Sequence, residues 1–171
     1  MIPQQQPSGA PEVGIEVDIN GSPRTMTVDP VQSLASAVRA EGMTGTKLGC
    51  ETGDCGACAV MLDGVPMASC LLPAVRADGR RVTTVEGLGT GTELSPLQAA
   101  FMRHNASQCG YCIPGILVAA SPLVDRDELT RDDVVSELTG NLCRCTGYES
   151  IINAVLDAHE QVRSGRAGGM A

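Results

Sequence analysis

Eight cysteines in a chain of 171 residues decide most of what this sequence can become. They fall into two sets of four. Cys50, Cys55 and Cys58 crowd one glycine-rich stretch, and Cys70 follows after eleven intervening residues. Cys109 and Cys112 form one close pair, and Cys143 and Cys145 form another. The length fits one average domain or two small ones, and small domains bury too little apolar surface to be firm without staples. Large side chains are scarce: the chain has no Trp, two Tyr and one Phe, against 20 Gly. The thiols must therefore supply part of the stability, as disulfides or as metal ligands.

Compartment decides between those two uses. The first residues, MIPQQQPSGAPE, show no basic stretch, apolar stretch or twin-Arg pair of an export signal. No segment approaches the roughly 20 apolar residues needed to span a bilayer. The expectation is a cytoplasmic chain with no membrane span, where a reducing environment favours thiolate–metal bonding over disulfides. The formal net charge of −8 at pH 7 offers nothing basic to nucleic acid or to an anionic membrane.

Patterning divides the chain into two halves. Residues 1–11 are rich in Gln, Pro, Ser and Gly and read as a disordered tail. Val13 to Ile19 alternates apolar and polar, Asn20-Gly21 is a hairpin turn pair, and Arg24 to Val28 alternates again. Asp29-Pro30 reads as a helix start, with Val31, Leu34, Ala35 and Val38 at helical spacing before Gly42. A second hairpin is expected on either side of Asp63-Gly64, and a last strand at Val82 to Val85. These elements make a small mixed-sheet α+β domain over residues 12–87. A Gly/Thr linker, residues 88–93, leads into helical patterning over 94–163. Starts are expected at Ser95-Pro96, at Pro114, at the Thr130/Asp133 capping box and before Ile151. Val134, Val135 and Leu138 follow that capping box, the last helix is read as ending near Val162, and residues 164–171 as a flexible tail.

The spacing Cys50-x4-Cys55-x2-Cys58, with Cys70 apart, is that of plant-type [2Fe–2S] ferredoxins. Each iron takes two thiolates, so a loop must wrap three sulfurs while a separate segment brings the fourth. Gly49, Gly53 and Gly56 let that loop curl and aim backbone N–H groups at sulfur. A zinc site is the alternative, although zinc knuckles use two tight pairs. The Cys109/Cys112 and Cys143/Cys145 pairs fit zinc or an iron–sulfur cluster equally well by spacing. Tyr111 and Tyr148 read as packing and hydrogen-bonding anchors, and Arg144 as offsetting negative charge. Lys47 reads as packing over the loop, and His104 and His159 as ordinary surface residues.

Three strings go further: Thr44-Gly-Thr-Lys-Leu-Gly-Cys-Glu-Thr-Gly-Asp-Cys-Gly-Ala-Cys58, Gln108-Cys-Gly-Tyr-Cys112 and Asn141-Leu-Cys-Arg-Cys-Thr-Gly-Tyr148. In this order they resemble the small iron–sulfur subunit of the molybdenum hydroxylases, the family of xanthine dehydrogenase, aldehyde oxidoreductase and carbon monoxide dehydrogenase. The resemblance covers about residues 13–162. It implies an α+β architecture, with an N-terminal β-grasp, plant-type ferredoxin-like domain followed by a four-helix [2Fe–2S]-binding domain. It also implies that the second cysteine set holds a second [2Fe–2S] cluster.

Such a chain is the electron-transfer subunit of an oxidoreductase complex and carries no substrate chemistry or catalytic residue of its own. The resemblance implies a large subunit with a molybdenum–pterin cofactor and a medium subunit with FAD, assembled as a dimer of heterotrimers. Electrons would leave the molybdenum centre singly, through the helical-domain cluster and then the ferredoxin-domain cluster, to FAD or another acceptor. Cys145 matches the ligand nearest the pterin, and Gln108 a side chain that hydrogen-bonds it. Ala59, Ile113 and Glu149-Ser150 depart from the usual pattern without touching a ligand. Glu51-Thr-Gly-Asp54 differs from the loop of copper–molybdenum carbon monoxide dehydrogenases. The alternatives are a free-standing two-cluster electron carrier and a zinc-stapled interaction module.

Overall fold

Turn chemistry sets the first half of the molecule. The structure, a computed structural model, describes residues 9–90 and 92–168. Most of the tail expected over residues 1–11, Gly91 of the linker and residues 169–171 thus lie outside the described residues. Strand β1 (Val13–Ile19) pairs antiparallel with β2 (Ser22–Val28). Between them Asn20 and Gly21 both take positive φ, 55° and 78°, the twist-matched hairpin turn. Asp63 and Gly64, at 51° and 83°, do the same between β3 (Ala59–Leu62) and β4 (Val65–Ala68). Strand β5 (Arg81–Thr83) slots between the hairpins, parallel to β1 and antiparallel to β3. The five-stranded order is β2-β1-β5-β3-β4. Pro23 and Pro66 sit on the two edge strands, where a missing N–H costs no ladder bond.

Helix α1 (Leu34–Ala40) buries Leu34, Ala37 and Val38 in one core with Ile15, Val17, Val28, Val60, Leu62 and Val82. It starts later than its sequence suggests. Ser33 is the N-cap, its hydroxyl accepting from the Ser36 N–H, while Asp29 folds back to accept from the Val31 N–H at 3.0 Å. The Asp-Pro pair therefore makes a turn, and Val31 is left 65% exposed.

The second half is helical: α2 (Pro96–Arg103), α3 (Ile113–Ala120), α4 (Arg131–Glu137) and α5 (Glu149–Gly168). Complete capping boxes open α2, through Ser95 and Gln98, and α4, through Thr130 and Asp133. Leu97, Phe101, Ile116, Leu123, Val134, Ile151 and Val155 form the core. Val135 is exposed, because α4 is one short amphipathic stretch whose buried position is Val134. Helix α5 continues to Gly168 rather than ending near Val162, and Arg166 near its end pairs with Asp125 at 2.5 Å. His159 is not a surface residue: it is buried, with Nδ1 3.3 Å from the Val124 carbonyl. His104 is partly exposed and bonds Asp157 at 3.0 Å.

The halves are tied together where the linker begins. Val85 and Leu88 pack on the helical core, and Thr90 bridges to Glu93. Deeper in, α3 meets β3 with no room to spare. A Cβ on Gly115 would collide with the Gly56 carbonyl oxygen, and one on Gly56 (φ 67°) with the Gly140 carbonyl and the Asn141 amide. Asn141 itself donates to the Gly56 carbonyl at 3.2 Å. This contact joins the two cysteine-bearing regions.

Candidate metal centres

The first centre is a curled loop. Glu51, Gly53 and Gly56 all take positive φ, so the chain between Cys50 and Cys58 wraps inward. Two backbone N–H groups, of Thr52 and Cys55, each reach the Cys50 sulfur at 3.4 Å. Hydrogen bonding from the Thr52 side chain, and then from those amides, outweighs burial and lowers the Cys50 thiol to about 6. Cys70 arrives from the end of the second hairpin. Ser69 beside it is fully buried and donates to the Cys58 carbonyl at 2.5 Å, fixing one segment against the other. Burial pushes the Cys70 thiol up to about 12, helped by the Cys58 sulfur beside it. Burial likewise raises Cys55. Lys47 closes the loop entry, donating from Nζ to the Thr44 carbonyl at 2.7 Å.

The second centre gathers residues from two loops. Cys112 is the N-cap of α3, and Gln108 and Cys109 lie in the bend before it rather than in a helix. Cys143 and Cys145 lie in the loop between α4 and α5. The Cys145 and Cys109 sulfurs stand 3.6 Å apart, both exposed. Cys112 and Cys143 form the inner pair: burial, then the Cys143 side chain, pushes the Cys112 thiol up to about 12. Cys143 is itself lowered, because hydrogen bonds from Thr146 and the Cys145 backbone outweigh its burial. Cys145 is raised by the Cys109 side chain facing it.

Thus all eight thiols meet in pairs. Cys50 lies with Cys55, Cys58 with Cys70, Cys109 with Cys145, and Cys112 with Cys143. Among the described residues, no group of three or more His, Cys, Asp or Glu closes into a site for a metal ion. Two thiols per iron, with the irons joined by sulfide, is what a [2Fe–2S] cluster asks for, so the donor set fits that group twice. Thiols that face one another also give up protons when a metal binds between them.

Neighbouring residues complete the picture. Gln108 is exposed beside Cys109, and Arg144 is exposed between Cys143 and Cys145. The two tyrosines act as anchors: Tyr111 donates to the Leu48 carbonyl at 2.7 Å, and Tyr148 to the Asn141 carbonyl at 2.9 Å. Sequence reasoning passed over Ser69, Asn141 and Thr146. A short polar residue next to a predicted ligand was the available signal for Ser69 and Thr146, and one two positions before Cys143 for Asn141.

Comparison with known proteins accounts for both centres. Residues 17–86 match the "2Fe-2S iron-sulfur cluster binding domain" and residues 84–156 the "[2Fe-2S] binding domain", two iron–sulfur domains in tandem. The nicotine 6-hydroxylase small subunit of Paenarthrobacter nicotinovorans is 49% identical over 158 residues, covering 91% of this chain and 95% of that one. A chain of quinoline 2-oxidoreductase from Pseudomonas putida 86 superposes with a TM-score of 0.85 at 48% identity, covering 91% of this chain and 99% of that one. Aldehyde oxidoreductase from Desulfovibrio gigas gives 0.84 at 39% identity, covering 90% of this chain and 17% of that longer one. The chain belongs to the family of small iron–sulfur subunits of the molybdenum hydroxylases and serves their multi-subunit complexes in electron transfer. Among the described residues no helix is long and apolar enough to cross a membrane.

Proposed function

We propose that Cys50, Cys55, Cys58 and Cys70 hold one [2Fe–2S] cluster, and Cys109, Cys112, Cys143 and Cys145 the other, with one facing pair on each iron. The pairwise meeting of all eight thiols carries this reading. When bound, each cluster takes up and releases one electron at a time. The chain's own residues hold the two sites in fixed relation. The Leu142 N–H donates to the Cys55 carbonyl at 2.9 Å, so one hydrogen bond links a ligand of the first site to the neighbour of Cys143.

The exposed rim of Gln108, Cys109 and Cys145 faces a large subunit carrying the molybdenum–pterin cofactor. The Gln108 amide can both donate to and accept from a pterin edge. The first centre faces a medium subunit carrying FAD, the whole forming a dimer of heterotrimers in the cytoplasm. Residues 12–87 and 94–163 are the two cluster-binding units. The complex acts on an N-heterocycle rather than an aldehyde: this chain shares 49% and 48% identity with the chains from nicotine and quinoline enzymes, and 39% with the aldehyde enzyme.

Iron and acid-labile sulfide analysis of the purified complex tests the core of this. About four irons per chain and two distinct rhombic spin-half EPR signals after reduction are expected. Zinc without an EPR signal overturns it in favour of a zinc-stapled module. Purification without larger subunits overturns the complex and leaves a free-standing carrier. Turnover of pyridine or quinoline rings with none of aldehydes supports the substrate class, and the reverse overturns it.

A further inference from the structure

The loop between Cys143 and Tyr148 contains a hydrogen-bond relay whose directions can be worked out. The Tyr148 backbone N–H donates to Thr146 Oγ1 at 3.1 Å, so that oxygen is already an acceptor. Thr146 Oγ1 also lies 3.2 Å from the Cys143 sulfur. A cysteine bound to iron has lost its S–H proton and can only accept. The one proton left for this contact is the Thr146 hydroxyl proton, and it points at sulfur.

The surroundings hold the relay in place. Tyr148 has φ 68°, a backbone conformation that a bulky residue keeps only where its neighbours over-determine it. Its hydroxyl accepts from the Cys143 N–H at 2.7 Å and donates to the Asn141 carbonyl at 2.9 Å. Asn141 is buried and anchored in turn to the Gly56 carbonyl. Backbone, ring hydroxyl and threonine hydroxyl thus close one circuit around Cys143.

We infer that Thr146 is a positioning residue that tunes the second cluster, its hydroxyl donating to the Cys143 sulfur and raising that cluster's reduction potential. Reduction adds one electron, and its charge spreads onto the ligand sulfurs. A donor aimed at sulfur stabilises the more negative state more than the oxidised one, and hydrogen bonds to sulfur are one of the set points of iron–sulfur potentials. At the first cluster, backbone amides of Thr52 and Cys55 face Cys50 together with the Thr52 side chain. At the second centre the donor is one threonine hydroxyl, so a single substitution can adjust that cluster's potential. The inference rests on Cys143 being a cluster ligand.

The test is a dithionite redox titration of the intact complex followed by EPR. The second cluster's signal is identified as the one that Cys145→Ser alters. Thr146→Val should make that cluster harder to reduce, by about tenfold in the one-electron equilibrium, which is about 59 mV. The other signal should stay in place, and Thr146→Ser should restore the wild-type midpoint. Thr146→Ala reads the same loss without a β-branched side chain, should valine disturb assembly. An unmoved midpoint with both clusters present overturns the inference and leaves the ligand assignment standing. Loss of the second signal in both the Val and Ala variants overturns it too, since Thr146 is then a folding element only. A wild-type complex with no second cluster overturns the ligand assignment itself.

Discussion

The two cysteine loops solve one problem, holding thiols that repel each other once ionised, by different means. The loop of residues 50–58 relies mainly on backbone: residues with positive φ curl it, and amides of Thr52 and Cys55 face sulfur beside the Thr52 side chain. The loop of residues 143–148 uses side chains: Thr146 contacts the Cys143 sulfur and Tyr148 clasps the Cys143 backbone. A backbone-built cage depends on where the chain can turn. A side-chain cage depends on particular hydroxyls, so single substitutions can adjust it. The first loop carries three of its centre's four thiols, whereas the second centre closes only when two loops distant in sequence are brought together by α3 and the α4–α5 connection.

Ligand replacement breaks this comparison most sharply. Cys145→Ser should abolish or reshape one EPR signal and slow electron exit from the complex by at least the roughly 10–100-fold that losing an outer-shell partner of a metal costs. The first centre's signal should survive, and Cys55→Ser should do the reverse. If both signals vanish in either variant, the two cages are one cooperative unit. The contact between them comes next. Gly115→Val forces a side chain into the Gly56 carbonyl. Overpacking of this kind costs about 1–3 kcal/mol, read as a lower unfolding midpoint. It should also weaken the magnetic interaction between the two reduced centres, because the Asn141–Gly56 and Leu142–Cys55 bonds lie beside it. Unchanged magnetic interaction would show that the junction does not set the spacing of the centres.

The same contrast explains what could be read from the chain alone. The first cage was legible because its determinants are local: the Cys50, Cys55, Cys58 spacing and its glycines lie in one stretch. Hairpins at Asn20-Gly21 and Asp63-Gly64, and the Thr130 capping box, were legible for the same reason. The second cage was ambiguous between zinc and iron by spacing, because its pairing of Cys109 with Cys145 is a tertiary fact. The start of α1 was misplaced because Asp29 and Ser33 are both good caps, and the turn at Asp29 is chosen by packing of Leu34 into the sheet's core. His159 looked like a surface residue because its burial depends on the chain around Val124 covering α5.

Two smaller substitutions sharpen the comparison between the halves. Ser69→Ala removes the donor to the buried Cys58 carbonyl, which ties the Cys70 segment to the loop. Leaving such a group unpaired costs about 1–3 kcal/mol, and the loss should appear as faster cluster release from the first centre alone. Equal acceleration at both centres would show that the halves lose their clusters together.

The helical half has its own weak point at the Thr130 cap of α4, just before the loop that carries Cys143. Thr130 Oγ1 accepts from the Asp133 N–H at 3.2 Å, and the Asp133 carboxylate accepts from the Thr130 N–H at 2.8 Å. Thr130→Ala should cost about 1 kcal/mol, read as faster amide exchange at Val134 and Val135. The Thr130 hydroxyl and N–H hold the Asp133 carboxyl below its ordinary value of 3.8. A lowered carboxyl stabilises the fold fully above that value and loses its effect as pH falls through the lower, folded one. The excess exchange in Asp133→Ala should therefore be complete at neutral pH and shrink only below about 3.8. If it shrinks already near neutrality, a group other than this carboxylate governs the helix start.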